Sequence, residues 1–439
     1  MSFLTGIHVP HRKNTAGKDA KRFSPAQITV PMAMHIGAPA KPVVKVGDLV
    51  KVGTLIGEAN GKVSSPVYSG VSGKVAKIVD LLISTGATAP AIVIESDGQM
   101  TLDESVVPPV VDSRESLLAA VRDSGVVGLG GAGFPTHVKL DVDPSRIEAL
   151  VINSAECEPY ITSDTYTMLN RTEDMAFAIK ALKEHLGIGK VIIGVESHNK
   201  AAVAAMMQFM HDHHGDGLTI EVKVLPSVYP QGGEKVLVYH TTGKAIPAGK
   251  LPIDVGCIVC NCTTIAAIGT YLRTGMPLVE KCVTVDGGAV NEAQNVIVPV
   301  GTKISDLFEF CGGLREEPAE VLYGGPMMGV SVPDMELPVM KNTNAVLALT
   351  EKESRLPKTT ACIRCGSCTN TCPFGLAPAS IAAAFKKKDA EKLEALSVNS
   401  CMECGCCSFV CPANRPLVQT NKLAKAFLRE EKAKEEAKA

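Results

Sequence analysis

The pattern of apolar and polar positions changes character several times along the chain. Between Ile28 and Ser96, short apolar runs such as VKVGDLVKVGTLIGE and SSPVYSGVSGKVAKI are punctuated by glycine, which predicts short β strands. Longer periods follow. Glu115 to Ser124 (ESLLAAVRDS) reads as a helix and Ile147 to Asn153 as a strand. Glu173 to Leu186 is the next helix, Lys190 to Val195 a strand, Ala201 to His211 a helix and Thr219 to Val224 a strand. Such alternation predicts an α/β domain. Short β runs return between Leu278 and Val332. Ser380 to Leu396 is rich in strong helix formers and predicts one helix. The Ala/Lys/Glu-rich tail, Asn421 to Ala439, predicts a frayed helix or a disordered end.

At 439 residues, the chain is long enough for about three domains. A formal net charge of −2 supplies no basic field for nucleic acid, and the absence of Trp argues against a base-stacking surface. No apolar stretch reaches the ~20 residues a spanning helix needs. The longest candidate, Val255 to Gly269, is interrupted by Cys257, Cys260, Asn261, Cys262 and two threonines. Met1 to Arg12 lacks the apolar region of a secretory signal. The expectation is a soluble, cytoplasmic protein whose membrane link, if any, runs through a partner. Fifteen cysteines in a reducing compartment are not expected to form disulfides, and nine of them crowd between Cys362 and Cys411.

That crowding is ordered. Cys362-x2-Cys365-x2-Cys368-x3-Cys372-Pro373 is repeated as Cys401-x2-Cys404-x2-Cys407-x3-Cys411-Pro412. This is the spacing of bacterial ferredoxins with two 4Fe–4S clusters, in which the fourth cysteine of each run ligates the other cluster. One cluster is therefore assigned to Cys362, Cys365, Cys368 and Cys411, and the other to Cys401, Cys404, Cys407 and Cys372. Zinc also suits CxxC pairs, but two four-cysteine runs with a trailing proline point to iron–sulfur clusters. Cys406 is left over.

A second motif, Gly128-Leu-Gly130-Gly131-Ala-Gly133-Phe134-Pro135, contains G-x-G-x-x-G. A Rossmann turn needs a strand before the glycines and a helix after them. Here a helix precedes, and Pro135 stands where the helix should begin, so the Rossmann reading is rejected. The loop still offers free N–H groups and close backbone approach to a phosphate or a flat ring; a plain structural turn is the alternative. Two polar segments follow strands. Asn153-Ser-Ala155-Glu156-Cys-Glu158-Pro follows the first, and Tyr229-Pro-Gln-Gly232-Gly233-Glu234-Lys follows the third. In α/β sheets, ligands bind beyond such strand ends.

Taken together, these motifs resemble the flavoprotein subunit of respiratory complex I and, more closely, the RnfC family of the Rnf ion-translocating electron transport complex, from about Phe3 to Leu428. The resemblance implies that Gly128, Gly130, Gly131, Gly133, Phe134 and Lys139 hold FMN. The family's N-A-D-E-S-E-P is here N-S-A-E-C-E-P, with Asn153, Glu156 and Glu158 matching and Ala155 replacing Asp. Its Y-x-x-G-E-E-T keeps Tyr229, Gly232 and Glu234, while Gly233 replaces a Glu. Its N-x-x-T is Asn261 to Thr264. Glu156, Glu158 and Glu234 are expected to line the nicotinamide or flavin. The departures at Ala155 and Gly233 bear on nicotinamide docking.

The resemblance also implies a multidomain α/β plus β architecture. Its parts are an N-terminal segment (1–27), a lipoyl-like barrel–sandwich hybrid (28–112) and an FMN- and NADH-binding α/β domain (113–277). A β-grasp (SLBB) domain (278–340), a helical ferredoxin domain (341–428) and a charged tail (429–439) follow. Lys74 lacks the Met-Lys context of a lipoyl or biotin carrier, so the barrel is expected to be unmodified. The implied activity is electron transfer between NAD(H), FMN and two 4Fe–4S clusters in ferredoxin:NAD oxidoreduction coupled to Na⁺ or H⁺ transport. The implied partners are integral membrane and flavin-bearing Rnf subunits and a ferredoxin-linked chain, with no nucleic acid. The implied location is the cytoplasmic face of the bacterial inner membrane. Two alternatives stay open: a soluble reductase of a small acceptor such as cobalamin, and an electron-wire subunit without NADH reactivity. His211, His213 and His214 read as a solvated helix end. Cys257, Cys260 and Cys262 read as small buried hydrophobes.

Overall fold

The computed structural model describes residues 6–82, 86 and 88–436. The first five residues of the N-terminal segment and the last three of the tail lie outside the described residues. The glycine-punctuated region forms two small facing sheets. One has the order β2 (Gln27–Pro31), β8 (Thr88–Ser96), β7 (Gly73–Leu82), β4 (Leu49–Val50). The other joins β3 (Lys41–Pro42), β5 (Leu55–Glu58) and β6 (Val67–Tyr68). Ile28, Val30, Ile56, Val75, Ile92 and Ile94 fill the space between them. Lys74 pairs with Leu49 and Glu95 inside the sheet, so it is not on a hairpin tip where a carrier lysine would stand.

The α/β unit begins with α1 (Arg114–Asp123), which is capped by Ser113, and α2 (Thr136–Leu140). A four-stranded parallel sheet follows, in the order β11 (Thr219–Leu225), β10 (Lys190–Glu196), β9 (Ala149–Ser154), β12 (Cys257–Asn261). The helices α3 (Ser163–Asn170), α4 (Thr172–Leu186), α5 (Lys200–His213), α6 (Glu234–Thr242) and α7 (Cys262–Thr274) connect or follow these strands. The strands read as near-continuous apolar runs because both faces are covered. Leu150, Ile152, Val191 and Ile193 lie in one core and Val151 and Val259 in another.

The third sheet draws on distant parts of the chain. Its order is β1 (Lys21–Arg22), β14 (Gln294–Pro299), β13 (Glu280–Asp286), β17 (Ala345–Leu349), β15 (Glu320–Tyr323), β16 (Val330–Ser331), with α8 (Ile304–Phe310) in the stretch between β14 and β15. Two of the expected boundaries therefore shift. The N-terminal segment supplies β1 to this sheet. β17, expected to lie outside a β-grasp unit ending at residue 340, is one of its inner strands, and all five of its residues are buried.

The C-terminal part is helical. After α9 (Glu351–Ser354) come α10 (Ser367–Asn370), α11 (Pro378–Lys386), α12 (Ala390–Ala395), α13 (Cys406–Phe409) and α14 (Leu417–Glu436). The single helix expected over 380–396 is two: Lys388 takes a positive φ of 55°, and the Asp389 side chain caps α12 through the Lys392 N–H. The tail is ordered further than expected. α14 runs to Glu436, and Ala424 and Leu428 bury against Ile381 and Leu393. Among the described residues, no helix is long and apolar enough to cross a membrane.

Candidate flavin and iron–sulfur site

In the parallel sheet the chain runs β9, β10, β11 in one direction and then returns to add β12 on the other side of β9. Beyond the C-terminal ends of β9 and β12 is the crevice where ligands bind in sheets of this kind. Asn153 and Asn261 are register partners at those two ends. A cavity of about 720 Å³ opens there. Its wall contains all fifteen residues that the sequence put forward for the nucleotide site: Gly128, Gly130, Gly131, Gly133, Phe134, Lys139, Asn153, Glu156, Glu158, Tyr229, Gly232, Gly233, Glu234, Asn261 and Thr264.

The glycine loop is pinned from two sides. The Gly128 N–H donates to the Phe134 carbonyl at 2.9 Å, and the Leu129 N–H donates to Thr264 Oγ1 at 3.0 Å. α2 begins directly after Pro135, so a short helix does follow the glycines, but a helix rather than a strand precedes them. At Gly131 a side chain would project into open space, and at Gly130 it would strike Asn261. Asn261 is immobilised. Its Oδ1 accepts from the Thr263 and Thr264 N–H groups, capping α7, and its Nδ2 donates to Asp164 at 2.7 Å. Opposite the loop, Lys139 Nζ donates to Glu234 Oε1 at 3.1 Å and to the Val259 carbonyl at 3.0 Å. Burial pulls the Lys139 pKa down, but the Glu234 and Cys260 fields outweigh it, and the group ends above its ordinary value.

The three candidate carboxylates are not equivalent. Glu156 is buried and accepts from the Asp164 and Thr165 N–H groups and from Thr165 Oγ1, so it caps the start of α3. Glu158 accepts from the Met327 and Met328 N–H groups at 3.1 and 2.8 Å, tethering the YGGPMMG loop. Burial pushes each of these two carboxyls up to about 7. Glu234 is held by Lys139 alone among side chains and is the most available to a ligand. Lys13, from the N-terminal segment, donates to the carbonyls of Glu156, Glu158 and Ile161 and shapes this wall from behind.

A buried acid behind the wall gives a pH test. Glu196 ends β10 with Oε2 lacking a hydrogen-bond partner among the described residues, and burial pushes its carboxyl up to about 8, with Lys13 opposing and Glu156 adding to the rise. A carboxyl raised from 4.5 holds its proton in the folded chain over that interval. Stability therefore falls as pH rises from about 4.5 to about 8 and is flat on either side. Glu196→Gln should stabilise the protein by about 1–3 kcal/mol at pH 9 and by little at pH 5. Thermal unfolding at the two pH values checks this; an equal gain at both would show that the charge is not the cause.

The cysteine runs form two matching loops. Each has a positive φ two residues after its first cysteine, at Arg364 (57°) and Glu403 (63°), and again at Gly366 (78°) and Gly405 (81°). Each then enters a four-residue helix, α10 or α13. Cys372, Cys401, Cys404 and Cys407, the second set assigned from spacing, line one small cavity together with Cys406. Of the first set, Cys368 and Cys411 pack together beside Leu417, while Cys362 and Cys365 lie on the surface. Among the described residues, no three His, Cys, Asp or Glu side chains are gathered closely enough for a single metal ion. Thiols crowded around a common cavity suit an iron–sulfur core. Cys406 also lines this cavity, buried against Tyr229 and Cys404, and only the ferredoxin spacing leaves it out of the second set.

Asp164, Met402 and Lys13 were not singled out from the sequence. Met402 matters most: it lines both the large cavity and the cysteine cavity. A Cβ at Gly233 would stand 2.3 Å from the Met402 methyl. The glycine that departs from the complex I pattern is therefore what lets the cluster-binding loop press against the nucleotide cavity.

This arrangement, a nucleotide-sized cavity sharing a wall with a cysteine cage, defines a flavin- and iron–sulfur-dependent electron-transfer protein. Family models place an RnfC barrel sandwich hybrid domain at residues 1–99, a Nuo51 FMN-binding domain at 121–270, an SLBB domain at 282–331 and a 4Fe-4S dicluster domain at 358–415. The chain is 40% identical over 97% of its length to the RnfC protein of the Na(+)-translocating ferredoxin:NAD(+) oxidoreductase complex of Acetobacterium woodii, covering 96% of that protein. It is 38% identical over 87% of its length to the corresponding protein of the proton-translocating complex of Clostridium ljungdahlii, covering 83% of that protein. It is 39% identical over 99% of its length to the corresponding protein of the ion-translocating oxidoreductase complex of Rhodobacter capsulatus, covering 84% of it. The chain belongs to the RnfC family of ion-translocating oxidoreductase complexes. A chain of an NAD+-reducing [NiFe]-hydrogenase in the H2-reduced state shares the fold, with a TM-score of 0.52 and 17% identity over 72% of this chain and 61% of its own. The cofactors are thus FMN and two 4Fe–4S clusters.

Proposed function

We propose that this chain is the nicotinamide-reactive subunit of a ferredoxin:NAD oxidoreductase complex that translocates Na⁺ or H⁺, peripheral to the cytoplasmic face of the membrane. The observation that carries this is the shared wall: Met402 belongs both to the cavity built by the glycine loop and to the cage built by Cys372, Cys401, Cys404 and Cys407. Bound flavin exchanges an electron pair with nicotinamide and single electrons with iron–sulfur clusters, which is why the two sites belong together. The chain's own residues position these groups. The amides of Gly130–Gly133 and the Lys139 ammonium suit the FMN phosphate. Asn153 and Asn261, at the ends of β9 and β12, and Thr264, which pins the glycine loop, would hold the flavin. Gly232, Gly233 and Glu234 would face nicotinamide, with the buried Tyr229 behind them. The integral membrane and flavin-bearing subunits of the complex are the partners, in a ferredoxin-linked chain.

A second reading, an electron wire without NADH reactivity, is favoured by one observation: two acidic positions of the complex I pattern are Ala155 and Gly233, and the Met402 methyl stands beside the latter. Anaerobic reconstitution with iron, sulfide and FMN, followed by NADH titration under absorbance and EPR, separates the two. Flavin bleaching with reduced-cluster signals supports the nicotinamide reading. Clusters that respond to dithionite while NADH reduces nothing would overturn it.

A further inference from the structure

The two cysteine cages are placed differently. One lies against the nucleotide cavity through Met402, whereas the loop carrying Cys362 and Cys365 is on the outside of the molecule. Every residue from 355 to 366 is exposed, including Leu356 at 91% and Ile363 at 67%. This stretch, RLPKTTACIRCG, carries Arg355, Lys358 and Arg364 and contains no acid. Its neighbour across the surface adds Arg415: the Thr360 N–H donates to the Ala413 carbonyl, Thr359 Oγ1 donates to the Asn414 carbonyl, and Asn414 Nδ2 donates to the Lys358 carbonyl. Among the described residues, no acidic side chain forms an ion pair with any of these four cations. Two nearby acids in the sequence are already engaged. Glu353 is held by Arg12, Tyr160 and the Thr350 and Gly288 N–H groups, and Glu403 is paired with Lys425.

We propose that residues 355–366, with Arg415, form the docking surface for an acidic redox protein that exchanges electrons with the cluster of Cys362, Cys365, Cys368 and Cys411. Unpaired cations around two exposed apolar side chains make a small patch of a kind suited to brief electron-transfer encounters, in which charge steers and a little apolar contact seats the partner. The placement at the ligand loop favours a redox protein over an anionic lipid surface. The inference rests on the iron–sulfur reading of the cysteine runs but not on reactivity with nicotinamide.

The test uses the full chain, reconstituted with iron and sulfide and reduced with dithionite that is then removed. The probes are an acidic cytochrome c and a basic one, whose reduction is followed by stopped flow. The rate with the acidic probe should fall as ionic strength rises. Arg355→Glu/Lys358→Glu should slow it by about tenfold at low salt and shift the preference toward the basic probe. Neither substituted residue is a ligand or borders one, so unchanged iron content and cluster spectrum establish that the variant is intact. Equal rates with both probes, or an intact variant that reacts as the parent does, would overturn the proposal. So would loss of binding to phosphatidylglycerol vesicles with the cytochrome rates unchanged, which would mark the patch as lipid-facing. Because NADH takes no part, failure of the nicotinamide reading leaves this experiment unaffected.

Discussion

Cys372→Ala and Cys404→Ala should each remove the same cluster, costing about half of the bound iron, and the double variant should lose no more than either alone. Cys372→Ala/Cys411→Ala should lose nearly all of it. The structure places Cys372 with Cys401, Cys404, Cys406 and Cys407 around one cavity, although in sequence it closes the other run. Cys411 packs beside Cys368. Crossed ligation of this kind follows from the tight loops, in which three thiols face one corner and the fourth has moved on to the neighbouring site. Iron and sulfide analysis with EPR of the reduced protein reads the result. If each run held its own cluster, Cys372→Ala/Cys404→Ala would strip both. Cys406→Ala provides the control and should leave the iron unchanged.

Gly130→Ala should weaken FMN binding by about a hundredfold, or about 3 kcal/mol, as overpacking against an immobile neighbour does. The new methyl would stand 2.6 Å from Asn261 Nδ2 and 2.8 Å from its Cγ. Asn261 has nowhere to retreat, because one end caps α7 and the other is bound to Asp164. The loop must move instead, and with it the amides facing the cavity. Gly131→Ala is the informative companion. Its methyl meets nothing within 4 Å, so the flavin-free protein should be as stable as the parent, and any loss of affinity comes from intrusion on the ligand. Flavin fluorescence titration of the two variants, alongside their melting temperatures, distinguishes a displaced loop from a blocked cavity. Similar affinities for Gly130→Ala and the parent would show that the glycine is not needed for close approach.

The elements legible in the sequence were those whose cause is local. The cysteine spacing requires a particular loop, the α/β alternation is carried by short-range periodicity, and the strand-end polar segments follow directly from it. What escaped depends on distance. Nothing near Lys13 shows that its ammonium will serve three carbonyls more than 140 residues later. Met402 is one apolar residue between two ligands until the fold sets it against Gly233. Glu156 and Glu158 read as ligand contacts because strand-end acids usually face a crevice, yet their oxygens are taken by the chain's own amides. The single helix expected over 380–396 failed at Lys388, where the positive φ ends α11 and Asp389, an N-cap residue hidden among the lysines of KKKD, starts α12. β17 was misplaced because a buried five-residue run shows no period that would tie it to a sheet begun sixty residues earlier.

The lacing of the N-terminal segment bears on how the protein is made. Lys21 and Arg22 pair with Val296 and Ile297, Lys18 donates to the carbonyl of Ala293, 275 residues away, and Ile7 bridges to Tyr229. The strap's partners therefore emerge in turn during synthesis: residues 156–162, which Lys13 and Thr15 engage, come first, Tyr229 next, and the β14 strand that takes Lys21 and Arg22 only after residue 293. The barrel can close early on its local strand pairs, but β1 must wait, at a few to some tens of residues per second, for seconds to tens of seconds. Pairing of β1 with β14 is then a late step that ties the strap to the β-grasp unit, whereas the Lys13 ammonium can reach the carbonyls of Glu156, Glu158 and Ile161 as soon as those residues are made.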